Sequence, residues 1–233
     1  ESPHELRAVR DGGGALGEVL AAAGHVPGRW PAADGDEGAE GVVPRLDGAG
    51  ALRPGMVAAH CVEVGAGDAG VLAARGVAVA HCPRSNAHLR CGRAPLEELR
   101  APGVAVALGT DSAASGGDHD PRAEARACRV AHAGVHEVGD DELLRMITCD
   151  AAAVLGMAGE VGVLAPGARA DLVALAPAAH DDARDPTAVA LDPATTVHRV
   201  IIGGEVLVAD GTPTRLDHEG ILARAREARG RLC

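Results

Sequence analysis

Three short apolar runs each end on a polar residue: "MVAAH" at 56–60, "VAVAH" at 77–81, and "VAVALG" at 104–109, which leads through Thr110 to Asp111. Each run is built almost wholly from Val, Ala, Leu and Met, with no polar residue before its end. Between them the spacing predicts helices over about 67–75 and 95–103, the second closed by Gly103, and a third follows over 120–135. Continuous apolar strands alternating with helices imply a parallel sheet covered on both faces, because a half-exposed strand would alternate apolar with polar residues. Such sheets keep ligands and chemistry at the C-terminal ends of their strands. His60, His81 and Asp111 all stand there.

The flanking segments read differently. Residues 4–24 predict a helix with a Gly-rich interruption at 12–14, and "PAADGDEGAEG" at 31–41 predicts a loop. After residue 157 the rhythm changes. Residues 162–175 read as a turn into a strand, and 198–211 as a hairpin turning at Gly203-Gly204. A final amphipathic helix fits 217–231, and no internal repeat is visible. The organisation expected is therefore an α/β portion over 1–157, a small β portion over 158–212 and a C-terminal helix over 213–233.

The 233 residues contain no Phe or Tyr and one Trp, Trp30, so the core must be packed from Ala, Val and Leu. A formal net charge of −11 argues against a nucleic-acid surface or an anionic membrane face. No apolar run approaches the ~20 residues that cross a bilayer, and no secretory signal is visible. The six cysteines, at 61, 82, 91, 128, 149 and 233, form no C-x-x-C pair, which fits a reduced, cytoplasmic protein better than a disulfide framework.

Taken singly, a histidine at a strand end is more often a hydrogen-bonded structural residue than a catalyst. Three candidates on successive strands, at the same end, bring a shared site into contention. Imidazole and carboxylate suit a divalent metal, and they equally suit proton transfer to or from an activated water. Competing signals are weaker. His132 and His136 have a chelating spacing but lack the Glu of H-E-x-x-H, and a solvated helix face accounts for them. Asp118, His119 and Asp120 fit a helix start. Ser112 and Ser115 lack a G-x-S-x-G elbow.

"AAHC" (58–61), "VAHCPRSNAHLRCGRAPLEEL" (79–99), "LGTDSAAS" (108–115) and "MITCDAAAVLGMAGEVGVLAPGARADLVAL" (146–175) resemble, in order, the amidohydrolase superfamily in its deaminase and chlorohydrolase branch. The resemblance implies a (β/α)8 TIM barrel with a small β-sandwich. It implies one zinc or iron ion, held by three histidines and an aspartate. By the same resemblance Asp111 is the metal-binding aspartate, which also takes a proton from the attacking water. His60 corresponds to the strand-6 histidine that steadies that water. Glu1, in E-S-P, corresponds to the glutamate that protonates the ring nitrogen. His81, Arg84, Ser85 and Asn86, from H-C-P-R-S-N, correspond to residues that shape the substrate pocket. The four residues Glu1, His60, His81 and Asp111 are then expected to converge on one cavity.

The family's H-x-H and the His three positions before its Glu have no counterpart here. The expected fold is thus a partial barrel, about strands 6–8, followed by part of the β-sandwich. The implied reaction is hydrolytic deamination of an aminopurine-type nucleoside. H-C-P-R-S-N with E-S-P looks most like the aminofutalosine deaminases of menaquinone synthesis. An S-adenosylhomocysteine-type deaminase, a chlorohydrolase, or a non-catalytic truncated fragment without a metal site are the alternatives. The partner implied is a small heterocyclic amine, with no nucleic acid or membrane, and a homodimer is left open.

Overall fold

The computed structural model describes residues 2–24, 41–178 and 185–231, and the acidic stretch before residue 41, Trp30, Glu1 and Cys233 lie outside them. The chain forms two compact units, Glu1–Val163 and Leu164–Cys233.

The first unit opens with α1 (Pro3–Asp11) and α2 (Gly14–Ala22), interrupted by glycines as the sequence indicates. Ser2 caps α1 in a reciprocal box: its hydroxyl accepts the Glu5 N–H, and the Glu5 carboxylate accepts the Ser2 N–H. The helix α3 (Val42–Gly48) follows, then β1 (Val57–Ala59), α4 (Asp68–Ala74), β2 (Ala78–His81), α5 (Pro83–His88), α6 (Leu96–Arg100) and β3 (Val106–Leu108). The strands pair in parallel in the order β1-β2-β3, with Ala58 opposite Val79 and Val79 opposite Val106. After β3 come α7 (Ala113–Gly116), α8 (Pro121–His132), α9 (Asp140–Met146) and α10 (Cys149–Val154).

The core lies between β2, β3 and the helices. Val77, Val79, Val106, Leu96, Leu99, Leu143, Met146, Ala125 and Cys128 are buried in it. Small aliphatic side chains fill the space that aromatic rings fill elsewhere, and close packing makes each methyl count. Burial on both faces holds for β3, against which α6, α8, α9 and α10 pack. It does not hold for β1, where Val57 is 37% exposed, because β1 is an edge strand with one neighbour among the described residues.

The second unit is an antiparallel sheet in the order β4-β5-β6-β7: β4 (Leu172–Ala176), β5 (Thr196–Ile202), β6 (Glu205–Ala209) and β7 (Thr212–Pro213). α11 (Pro186–Leu191) lies between β4 and β5, and α12 (His218–Gly230) ends the chain. Gly203 and Gly204 make the β5–β6 turn at φ 58° and 85°, the paired left-handed conformation that a two-residue hairpin demands. The expectation of an amphipathic final helix fails: α12 buries no residue, and Ile221 is 41% exposed.

Candidate active site

His60 and Asp111 stand just beyond β1 and β3, and both adopt left-handed backbone, at φ 66° and 54°. Non-glycine residues held there store roughly 1 kcal/mol or more, and such outliers gather where a side chain must be aimed. His60 Nε2 faces Asp111 Oδ2 at 3.9 Å. The His60 ring is held from behind, because its Nδ1–H donates to the side-chain oxygen of Asn86 at 2.9 Å. That bond fixes the ring with Nε2 directed toward the carboxylate.

Asp111 is held as firmly. Its Oδ2 accepts the hydroxyls of Ser85 at 2.6 Å and Ser115 at 2.9 Å, and its Oδ1 accepts the Ser112 N–H at 2.7 Å. The Ser85 and Ser115 hydroxyls keep its carboxyl below the usual carboxylate range, so it is ionised. Ser115 reaches it because α7 folds back onto the strand end. A Cβ at Gly116 would lie 2.2 Å from the Thr110 carbonyl oxygen, so only glycine permits that approach. Two lone-pair donors facing each other across 3.9 Å, both oriented from outside, fit a divalent cation or a polarised water held at the carboxylate. The donor set of Asp111 with His60 beside it therefore suits the metal that the sequence implies.

Of the other expected residues, Glu1 lies outside the described residues. Ser85 and Asn86 are buried, at 0% and 1% exposure, and hold Asp111 and His60 in place. His81 also departs from expectation. It sits at the correct end of β2, but strand alternation places it with Val79 on the buried, helix-facing side, where it is 1% exposed. It does not join His60 and Asp111. Its ring meets His132 edge-on, with the two Nε2 atoms 3.2 Å apart. His132, expected on a solvated face, is likewise buried at 1%.

Cys128 completes a buried trio with His81 and His132, whose ligand-type atoms lie within 4.8 Å of one another. The hydrogen-bond pattern does not favour a metal there. Arg93 can only donate, so His132 Nδ1, 3.4 Å from its guanidinium, is an acceptor. The His132 proton then sits on Nε2 and is donated to His81 Nε2, which uses the lone pairs a cation would need. Burial pushes the Cys128 thiol up to about 12, so it stays protonated.

Burial first, then the neighbouring His132, pushes His81 down to about 3, while burial and then Arg93 push His132 down to about 4. Both are neutral in the folded protein. The unfolded chain binds protons near pH 6.5, where the folded chain cannot, so stability is present above that pH and is lost as pH falls toward 4. Each histidine contributes a loss of up to about 1.4 kcal/mol per pH unit in that window. Urea midpoints are expected to fall steadily between pH 7 and 5, and more gently in His132→Gln. Equal slopes for the two proteins would refute the assignment.

Sequence reasoning passed over Glu124, on α8. It is 0% exposed, and its Oε2 accepts the Arg84 backbone N–H at 3.1 Å. Its Oε1 lies 3.6 Å from Arg84 Nε, and burial raises its pKa. The Arg84 guanidinium also donates to Asp118 at 2.6 Å. Arg84 is thereby turned toward α8 and its N-terminal loop, and the first turn of α5, which carries Ser85 and Asn86, is pinned to α8. A signal existed in the sequence. Glu124, Cys128 and His132 recur every four residues, while Arg122, Arg126 and Arg129 mark other faces of the helix.

Comparison with known proteins identifies the family. The model of the amidohydrolase family matches residues 30–207. A 5-methylthioadenosine/S-adenosylhomocysteine deaminase of Pelotomaculum thermopropionicum is 38% identical over 203 residues, covering 80% of this chain and 45% of the relative. One from Nitratidesulfovibrio vulgaris is also 38% identical, covering 80% and 44%. The chain thus spans about half the length of the curated relatives it matches. Among solved structures, a zinc-bound adenosine deaminase from Xanthomonas campestris superposes with a TM-score of 0.76 at 26% identity, covering 99% of this chain and 49% of that one. A mutant of the Arthrobacter aurescens atrazine chlorohydrolase TrzN, complexed with zinc and atraton, gives 0.73 at 26% identity, covering 85% and 46%. These likenesses imply an α/β fold of the TIM-barrel type, and the chain belongs to the amidohydrolase family, in its deaminase and chlorohydrolase branch.

Proposed function

We propose that this chain is the C-terminal part of a metal-dependent deaminase that hydrolyses the exocyclic amine of an adenine-type nucleoside. On this reading β1–β3 are strands 6–8 of a (β/α)8 barrel, the second unit belongs to its small β-domain, and three histidines of the metal site come from outside the sequence given. The observation that carries the proposal is the facing pair His60 and Asp111, each oriented by a buried partner.

A divalent ion, zinc or iron, would be held by Asp111 and would make the attacking water acidic when bound. Asp111 takes one proton from that water as its oxygen adds to the ring carbon. His60 Nε2 accepts a hydrogen bond from the same water and fixes its approach. Glu1 delivers a proton to the ring nitrogen. The proton held by Asp111 passes to the amine, which leaves as ammonia, and the water's second proton returns to Glu1 as the carbonyl forms.

The names of the relatives favour an S-adenosylhomocysteine-type substrate. The aminofutalosine reading, and with it a place in menaquinone synthesis, rests on the H-C-P-R-S-N and E-S-P motifs alone. A cytoplasmic location and a homodimer go with either reading. The test is ammonia release by the zinc-loaded product of the complete coding sequence, offered S-adenosylhomocysteine, 5-methylthioadenosine and aminofutalosine. No release from any of them overturns the proposal in favour of a non-catalytic protein. Residues 1–233 alone supply one carboxylate to the ion, with the His60 imidazole beside it, where tight zinc sites use three or more protein ligands. Zinc is therefore expected to leave them on dialysis against a chelator, and stoichiometric retention would show the ligands to be misassigned.

A further inference from the structure

The turn that ends β1 is strained at two successive residues. His60 has φ 66° and Cys61 has φ 49°, both left-handed. Among the described residues no other two left-handed residues outside glycine are neighbours in the chain. Histidine tolerates this backbone better than most side chains do, whereas cysteine is not among the tolerant types.

Hydrogen bonds hold the turn shut. The His60 N–H donates to the Ala80 carbonyl at 2.9 Å, continuing the ladder between β1 and β2. The Cys61 N–H donates to the Ala59 carbonyl at 2.8 Å. That second bond closes a three-residue turn centred on His60, of the rare and strained kind with a positive central φ. The Cys61 thiol is turned back along β1 and donates to the Ala58 carbonyl at 4.0 Å. The thiol is thus engaged with its own strand, and what residue 61 brings to the turn is its Cβ. A Cβ confines left-handed backbone to a small region, while glycine there ranges widely. Asn86 holds one atom of the His60 ring, and the turn holds the Cα from which the ring hangs.

We propose that Cys61 is a positioning residue: its Cβ, confined to left-handed backbone, stiffens the turn that aims the His60 ring at Asp111. The proposal rests on the deaminase reading above. Strain kept beside a reacting group is relieved at the expense of its aim, so a residue that relaxes the turn makes the protein more stable and the enzyme slower. Cys61 acts through His60 and itself takes no part in proton transfer.

The experiment compares Cys61→Gly with Cys61→Ala in the zinc-loaded full-length enzyme. Alanine removes the thiol and keeps the Cβ, while glycine removes both. Cys61→Ala is expected to keep kcat within about twofold of the parent, because only the Cβ is needed. Cys61→Gly is expected to melt about 1–3 °C above Cys61→Ala, since glycine enters left-handed backbone without strain. A misplacement of ~1 Å can cost ~10²-fold in rate, and a loosened turn costs less. The glycine variant is therefore expected to lose about tenfold in kcat, with KM changed less than about twofold. Four results overturn the proposal: glycine melting below alanine, glycine and alanine turning over equally fast, alanine losing as much kcat as glycine, and KM rising in step with the loss of kcat. If the parent enzyme releases no ammonia, the deaminase reading falls, and proton NMR still decides the turn. The His60 Nδ1–H resonance, identified by its loss in His60→Gln, is expected to exchange with water about tenfold faster in Cys61→Gly than in Cys61→Ala. Equal exchange in the two variants refutes the positioning role.

Discussion

Asp111→Asn is expected to lower turnover by the full-length enzyme by about three orders of magnitude or more, while the fold is kept. Asparagine preserves shape and one coordinating oxygen but has neither the charge that holds the ion nor the basicity that takes the water's proton. General acid–base groups contribute roughly 10²–10⁴-fold to rate, and loss of an anionic ligand weakens metal retention as well. The fold should tolerate the change. The hydroxyls of Ser85 and Ser115 and the Ser112 N–H all need acceptors, and an amide oxygen can serve most of them. If Asp111 merely caps the loop after β3, the cost is about 1 kcal/mol of stability and chemistry is spared. Turnover and bound zinc, compared at equal folded fraction, separate the two. Turnover within about tenfold of the parent with zinc still bound removes Asp111 from the mechanism.

Glu124→Leu is expected to destabilise the protein by about 2–4 kcal/mol, because breaking a buried charged pair strands its partners. The Arg84 N–H loses its acceptor, and the guanidinium keeps only Asp118. The first turn of α5 is then free to shift, and Ser85 and Asn86 shift with it. Glu124→Gln keeps an acceptor for the Arg84 N–H and is expected to lose less than half as much. Urea midpoints of the three proteins measure this. Equal losses in both variants would show that the charge matters and the Arg84 N–H contact does not. A Leu variant as stable as the parent would show that α5 needs no anchor on α8.

The position of the Asp111 carboxylate was legible because of where it stands. In "VAVALGTD" nothing but an apolar strand precedes Gly109, so the first charged group after it must emerge at the strand's C-terminal end. His60 follows "MVAA" for the same reason. His81 shows the limit of that logic. "VAVAH" is apolar on both faces, so it carries no period-2 signal to say which side faces the helices. The helix-facing side proved to be that of Val79 and His81, and the histidine went with it.

Local chemistry settled several elements without help from the fold. Ser2 and Glu5 box the start of α1, Asp120 accepts the Arg122 N–H to cap α8, and Gly203-Gly204 turns the hairpin. These features depend on bonds between residues two or three apart, and such bonds form wherever the segment lies. The sequence by itself thus determined the parallel strand–helix alternation, the strand-end positions of His60 and Asp111, and the caps and turns. Only the tertiary structure decided that Ser85 and Asn86 hold those two residues from behind, that Glu124 is buried against Arg84, and that His81 pairs with His132. Those contacts join residues 26, 40 and 51 positions apart. A polar side chain is buried or exposed according to whether a distant partner satisfies it, and the identity of that partner is fixed only when the helices settle on the sheet.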